Sequence, residues 1–180
     1  SVKDHNRIWN DKQKFTLEAL SNLEINSNLL STIARLSNEG YKIACCSNSI
    51  RKTVLTVLAK LGLIEFMDLI ISNEDVSNSK PHPEMYWQAI SKMGCLPEET
   101  LIVEDSPYGL LAAARSKSYI LRVKNPQEVT YKNISNKIID NITNFSLDES
   151  MHMNLFGPEE GLKYYYPYYI INHLTNTVLN

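Results

Sequence analysis

Residues 101–116 read LIVEDSPYGLLAAARS, an apolar run that meets two adjacent carboxylates, Glu104 and Asp105, before a serine-proline turn and an alanine-rich segment. This order predicts a strand, a turn and a helix. Burying even one uncompensated carboxylate costs several kcal/mol, so a pair at a strand end requires a cation, hydrogen-bond donors or solvent. Two readings stay open from these residues alone. Either the pair holds a cation, or Asp105 or Ser106 caps the following helix while the other carboxylate is solvated.

The same alternation extends in both directions. Upstream, Asn26 or Ser27 can cap a helix whose apolar positions are Leu29, Leu30, Ile33 and Leu36 and which stops at Gly40. YKIACC (41–46) follows as a strand and Ser47-Asn48-Ser49 as a turn, and IRKTVLTVLAKLG (50–62) is a helix stopped at Gly62. MDLIIS (67–72) predicts a second strand, and PEMYWQAISKMG (83–94) a helix with Pro83 in its first turn and Gly94 at its end. Downstream of the quoted stretch, YILRV (119–123) is a fourth strand. Strands alternating with helices predict an α/β fold with a parallel sheet, and ligands of such sheets lie beyond the carboxyl ends of the strands. DKQKFTLEAL (11–20) reads as a helix, NKIIDNITNF (136–145) as either a short strand or a helix, and the Tyr-rich GLKYYYPYYIINHLTNTVLN (161–180) as a packing or interface surface.

The 180 residues suffice for one sizeable core, alone or with an appendage. A net charge of −2 argues against a broad nucleic-acid-binding face. The three cysteines, two of them adjacent at Cys45 and Cys46, have no metal-ligand spacing and read as buried thiols of a reducing compartment. No apolar run reaches the ~20 residues of a membrane helix, and SVKDHNRIWN (1–10) does not read as a signal peptide. The expected location is cytoplasmic.

Three predicted strand ends carry complementary chemistry. Ser47 follows IACC, Lys80 lies in the loop after DLIIS, stiffened by Pro81 and Pro83, and Glu104-Asp105 closes LIV. A hydroxyl with backbone N–H groups, an ammonium and a carboxylate pair would together hold a phosphate beside a divalent cation, and hard oxygen ligands suit Mg2+.

Taken in order, IACCSNS, SKPHPEMY and LIVEDSPYGLLAAARS resemble the haloacid dehalogenase-like (HAD) hydrolase superfamily, in particular its phosphoglucomutase-like phosphatase branch, over roughly residues 20–123. The resemblance implies a Rossmann-like parallel sheet with flanking helices and a magnesium-dependent phosphate-monoester reaction through a phosphorylated aspartate. It implies that Ser47 binds the transferring phosphoryl group with help from the Asn48 N–H, that Lys80 neutralises its charge and that Glu104 and Asp105 hold Mg2+. Ser49 and Arg51 become substrate-facing positions.

Two departures stand out. The family's nucleophile motif, Asp-x-Asp on the first strand, occurs nowhere in the 180 residues. That strand lies in mid-sheet, between those ending at Ser47 and Glu104, so the expected sheet lacks its central strand unless a missing N-terminal segment or a second chain supplies it. The family's usual Ala-Gly pair before the fourth strand is also replaced by RSKS (115–118). The expected organisation is a cap-domain remnant and linker at 1–25, a HAD-like core at 26–150 and a Tyr-rich extension at 151–180 that could begin another domain. The expected function is phosphatase chemistry on a small phosphorylated metabolite, in a chain that is a fragment of a longer protein. Alternatives are a sugar-phosphate mutase, a non-catalytic phospholigand- or partner-binding domain, and the phosphatase module of a bifunctional enzyme.

Overall fold

The structure, a computed structural model, describes residues 23–152 and 168–171. The expected helix at 11–20 and most of the 1–25 segment lie outside the described residues. Helix α1 (Ser27–Asn38) begins where the Asn26 side chain accepts the Leu29 N–H at 3.0 Å, and its buried stripe of Leu29, Ile33 and Leu36 recurs at helical spacing. Gly40, at φ 87°, turns the chain into β1 (Ile43–Cys46). Helix α2 (Arg51–Lys60), β2 (Leu69–Ile71), α3 (Glu84–Met93), β3 (Thr100–Glu104), α4 (Pro107–Ser116) and β4 (Tyr119–Arg122) follow in the expected alternation. The segment left open between strand and helix belongs to a helix, α5 (Tyr131–His152), which crosses the expected boundary at residue 150.

One strand remains, β5 (Tyr168–Ile171), and it decides the topology. The sheet order is β2-β1-β5-β3-β4, and each described strand pairing is parallel. The α/β architecture is the expected one, but the mid-sheet position assigned to missing sequence or another chain is filled by this chain's own Tyr-rich segment. Tyr169 sits in register with Ile43 on one side and Leu101 on the other. Without β5, the inner edges of β1 and β3 would expose unpaired backbone groups, and the aromatic, β-branched sequence YYII suits a strand.

Alternate residues of the strands feed separate cores. Ile43, Cys45, Leu101 and Val103 pack with residues of α1, α2 and α5, whereas Ala44, Cys46, Ile71 and Ile102 pack with residues of α3 and α4. Helices thus cover both faces of the sheet, and the site is left to the strand ends.

Candidate functional site

Lys80 is the centre of the site. Its ammonium donates to the Cys46 carbonyl at 3.0 Å and to Glu104 Oε1 at 2.8 Å, thereby bridging the ends of β1 and β3. Ile171, the last residue of β5, is in register with Cys45 and Val103, so the bridge lies one residue beyond the end of the middle strand. The Lys80 and Glu104 side chains are 2% and 0% exposed. A buried ion pair withstands its desolvation cost only when further hydrogen bonds satisfy the remaining polar positions.

Those bonds are present. Glu104 Oε1 also accepts the Tyr86 hydroxyl at 2.5 Å, while Oε2 accepts the Asp105 N–H at 3.1 Å, the Ser106 N–H at 3.3 Å and the Ser106 hydroxyl at 3.2 Å. The carboxylate thus lies at the start of α4, where the helix dipole favours negative charge. Gly109 makes room for it, because a Cβ at that position would coincide with the Glu104 carboxylate.

The Lys80 backbone is held as firmly as its side chain. Asn48 Oδ1 accepts the Lys80 N–H at 3.0 Å and Asn48 Nδ2 donates to the Lys80 carbonyl at 3.3 Å, so one carboxamide fastens the lysine loop to the loop after β1. The Lys80-Pro81 peptide is cis, and Arg115 donates to the Pro81 carbonyl at 3.0 Å. Ser47 is buried, and its hydroxyl accepts the Ser49 N–H at 3.1 Å, which orients it at the turn.

The expected residues therefore divide. Asn48, Lys80 and Glu104 are joined by hydrogen bonds between the ends of β1 and β3, and Ser47 and Asp105 are the residues that follow those two strands. The Arg51 guanidinium instead pairs with Asp75 at 2.5 Å, and its N–H donates to Glu74 at 3.0 Å. Burial opposes ionisation of Asp75, but the Ser72 N–H, the Arg51 guanidinium and the Ser72 hydroxyl outweigh it and bring its carboxyl to about 2. Ser49 serves through its backbone, its carbonyl accepting the Asn73 N–H at 3.2 Å.

The donor set also bears on magnesium. Among the described residues no group of three His, Cys, Asp or Glu side chains gathers as a ready-made metal cage. Magnesium binds through one or two carboxylates, waters and substrate phosphates, and the half-buried Asp105 at the end of β3 fits that description. Glu104 does not fit it equally well, because an ammonium, a phenol and the start of α4 hold its oxygens. The thiols of β1 stay protonated near neutral pH. Burial pushes Cys45 up to about 12 against the pull of Lys80, and pushes Cys46 higher still.

Three contributors were missed by the sequence reading: Tyr86, Gly109 and the side-chain role of Asn48. For Tyr86 a signal existed, since a phenol within the buried stripe of Met85, Ala89, Ile90 and Met93 requires a polar partner. Nothing local marked Gly109, which is small because of a residue that reaches it across the β3–α4 turn.

The model of the haloacid dehalogenase-like hydrolase family matches residues 2–123. Pyrophosphatase PpaX of Halalkalibacterium halodurans is 32% identical over 111 residues, covering 62% of this chain and 47% of that protein. The chain spans less than half the length of the curated relatives it matches. Among solved structures, a HAD hydrolase of Entamoeba histolytica aligns over 77% of this chain and 72% of its own, with a TM-score of 0.62 and 18% identity. A β-phosphoglucomutase of Clostridium difficile aligns over 69% and 60%, with a TM-score of 0.58 and 20% identity. These two structures speak for the fold, and the family model speaks for descent. With its α/β sheet and its ordered strand-end residues, this chain belongs to the haloacid dehalogenase-like hydrolases.

Proposed function

We propose that the strand-end site captures the phosphate of a small phosphorylated metabolite beside a magnesium ion, as the phosphate-handling part of a phosphate-monoester hydrolase. The observation that carries this reading is the buried Lys80 ammonium, set between β1 and β3 at the carboxyl end of a parallel sheet. A fixed cation there neutralises phosphoryl charge without rearranging during the reaction, and such preorganisation supplies much of the catalysis of phosphoryl transfer. Ser47 and the backbone N–H of Asn48 are the proposed phosphate donors, with Asn48 also holding the lysine loop. Ser49 and Arg51 are retained only as neighbours of the substrate, because Arg51 is engaged by Asp75.

Asp105 is the residue proposed to hold magnesium, which when bound would neutralise phosphate charge and orient the phosphoryl group. Glu104 acts through Lys80, holding it in place. No Asp-x-Asp occurs in the 180 residues. The mid-sheet position is held by β5, whose YYII carries no Asp-x-Asp, so the reading assigns phosphate capture to these residues and assigns them no nucleophile. Relatives whose names include a pyrophosphatase and a phosphoglycolate phosphatase support the phosphate chemistry without fixing the substrate.

Titration calorimetry with inorganic phosphate, with and without magnesium, tests the reading. The chain is expected to bind phosphate more tightly with magnesium, and Asp105→Asn to lose that dependence while its melting temperature changes little. Magnesium enhancement that persists in Asp105→Asn would remove the metal assignment. Absence of phosphate binding by the unsubstituted chain would remove the site assignment.

A further inference from the structure

The loops approach Lys80 from the strand ends, and helix α3 approaches it from below. Tyr86 on that helix is completely buried. Its hydroxyl meets Glu104 Oε1 at 2.5 Å, and its ring lies 4.7 Å from the Lys80 ammonium. One side chain thus touches both members of the ion pair, through a hydrogen bond to the anion and a π face toward the cation.

This double contact has an electrostatic consequence. A lysine and a glutamate alone in a dry interior would close into a pair with little field left for a third group. Here Oε1 divides its accepting capacity between the ammonium and a neutral phenol, and the ring limits how far the ammonium can sink toward α3. Burial and the charge of Glu104 raise the phenol well above its ordinary pKa, so it remains a donor.

We propose that Tyr86 is a positioning residue: its hydroxyl draws off part of the charge of Glu104 and its ring supports the ammonium, so that Lys80 stays directed at an anion above the strand ends. The anion rests on the phosphate reading given above, whereas the tether between Tyr86, Glu104 and Lys80 does not. Asn48 acts on the same lysine from the opposite end, through its backbone. Lys80 is thereby fixed at both ends of its side chain.

The test compares the full 180-residue chain with Tyr86→Phe, which keeps the ring and every carbon atom and removes only the hydroxyl. Two signals are read: the 1H–15N resonance of the Lys80 ammonium, protected by burial and hydrogen bonding, and the affinity for inorganic phosphate with magnesium. In Tyr86→Phe the ammonium resonance is expected to shift or broaden while backbone resonances away from α3 and the strand ends stay in place. Phosphate affinity is expected to fall about tenfold, the scale of one hydrogen bond to a charged group. Tyr86→Leu, which also removes the ring, is expected to exceed Tyr86→Phe in both respects. An unchanged Lys80 resonance in Tyr86→Phe overturns the proposal whatever phosphate does. If the unsubstituted chain binds no phosphate, the phosphate reading fails and the tether is judged by the ammonium resonance alone.

Discussion

Lys80 and Glu104 form an ion pair that is almost wholly shielded from water, so each charge relies on the other for compensation. Replacing one partner leaves a buried charge without compensation, at a cost of about 3–5 kcal/mol. Lys80→Met is therefore expected to lower stability by that amount in urea denaturation, and the double variant Lys80→Met/Glu104→Gln to recover most of it. Strictly additive losses would show that the two residues are not coupled. A second pair, Arg51 and Asp75, is sensitive to acid. The Asp75 carboxyl has an ordinary value of 3.8 and lies at about 2 in the folded chain. Its contribution is fully present above about pH 4 and is lost as the pH falls through 2. Asp75→Asn is expected to remove this share of the acid sensitivity, seen as a shallower decline in stability between pH 4 and 2.

At the scale of elements, the helices were legible because their ends carry their own chemistry. Asn26 caps α1 through its side chain, Ser106 caps α4 by accepting the Gly109 N–H at 3.0 Å, and Gly40, Gly62 and Gly94 adopt positive φ where the chain reverses. The exception follows α4, where RSKS stands in place of the family's usual Ala-Gly pair. There Lys117 itself takes the left-handed conformation, at φ 63°, and caps the helix. A residue with a Cβ pays about 1 kcal/mol or more in that region, a cost glycine avoids. Lys117→Gly is expected to raise the melting temperature by a few degrees, a stabilisation of about 1 kcal/mol. A fall in melting temperature would mean that the lysine side chain supplies more than the backbone strain costs. Helix α5 lacked such punctuation near residues 136–145, and an apolar, Asn-rich stretch suited strand and helix alike.

For the molecule as a whole, the sheet is completed by residues distant in sequence: Tyr169 pairs with Ile43 and with Leu101. Proline in the middle of a sheet removes a ladder hydrogen bond and is confined almost entirely to edges and bulges. Ile170→Pro, inside a strand flanked on both sides, is therefore expected to abolish the near-ultraviolet circular dichroism and the cooperative unfolding transition of the chain. Retention of both would show that β5 does not hold the sheet together. The same arrangement ties the cores to the site, because the strands that feed both hydrophobic layers end at Cys46 and Glu104, the two partners of Lys80.

Periodicity, capping residues and three ordered motifs were enough to read the alternating α/β pattern and to nominate Ser47, Lys80, Glu104 and Asp105, because each of those signals is local to a few residues. The division of labour between the adjacent carboxylates was not local. Glu104 turns to Lys80, Tyr86 and the start of α4 while Asp105 stays half-buried at the strand end, and only packing brings those donors within reach. The middle strand was hidden for a related reason. YYII lies in the segment read as a packing or interface surface, and it becomes a strand only where the unpaired edges of β1 and β3 create a place for it, edges that exist only once the chain has folded.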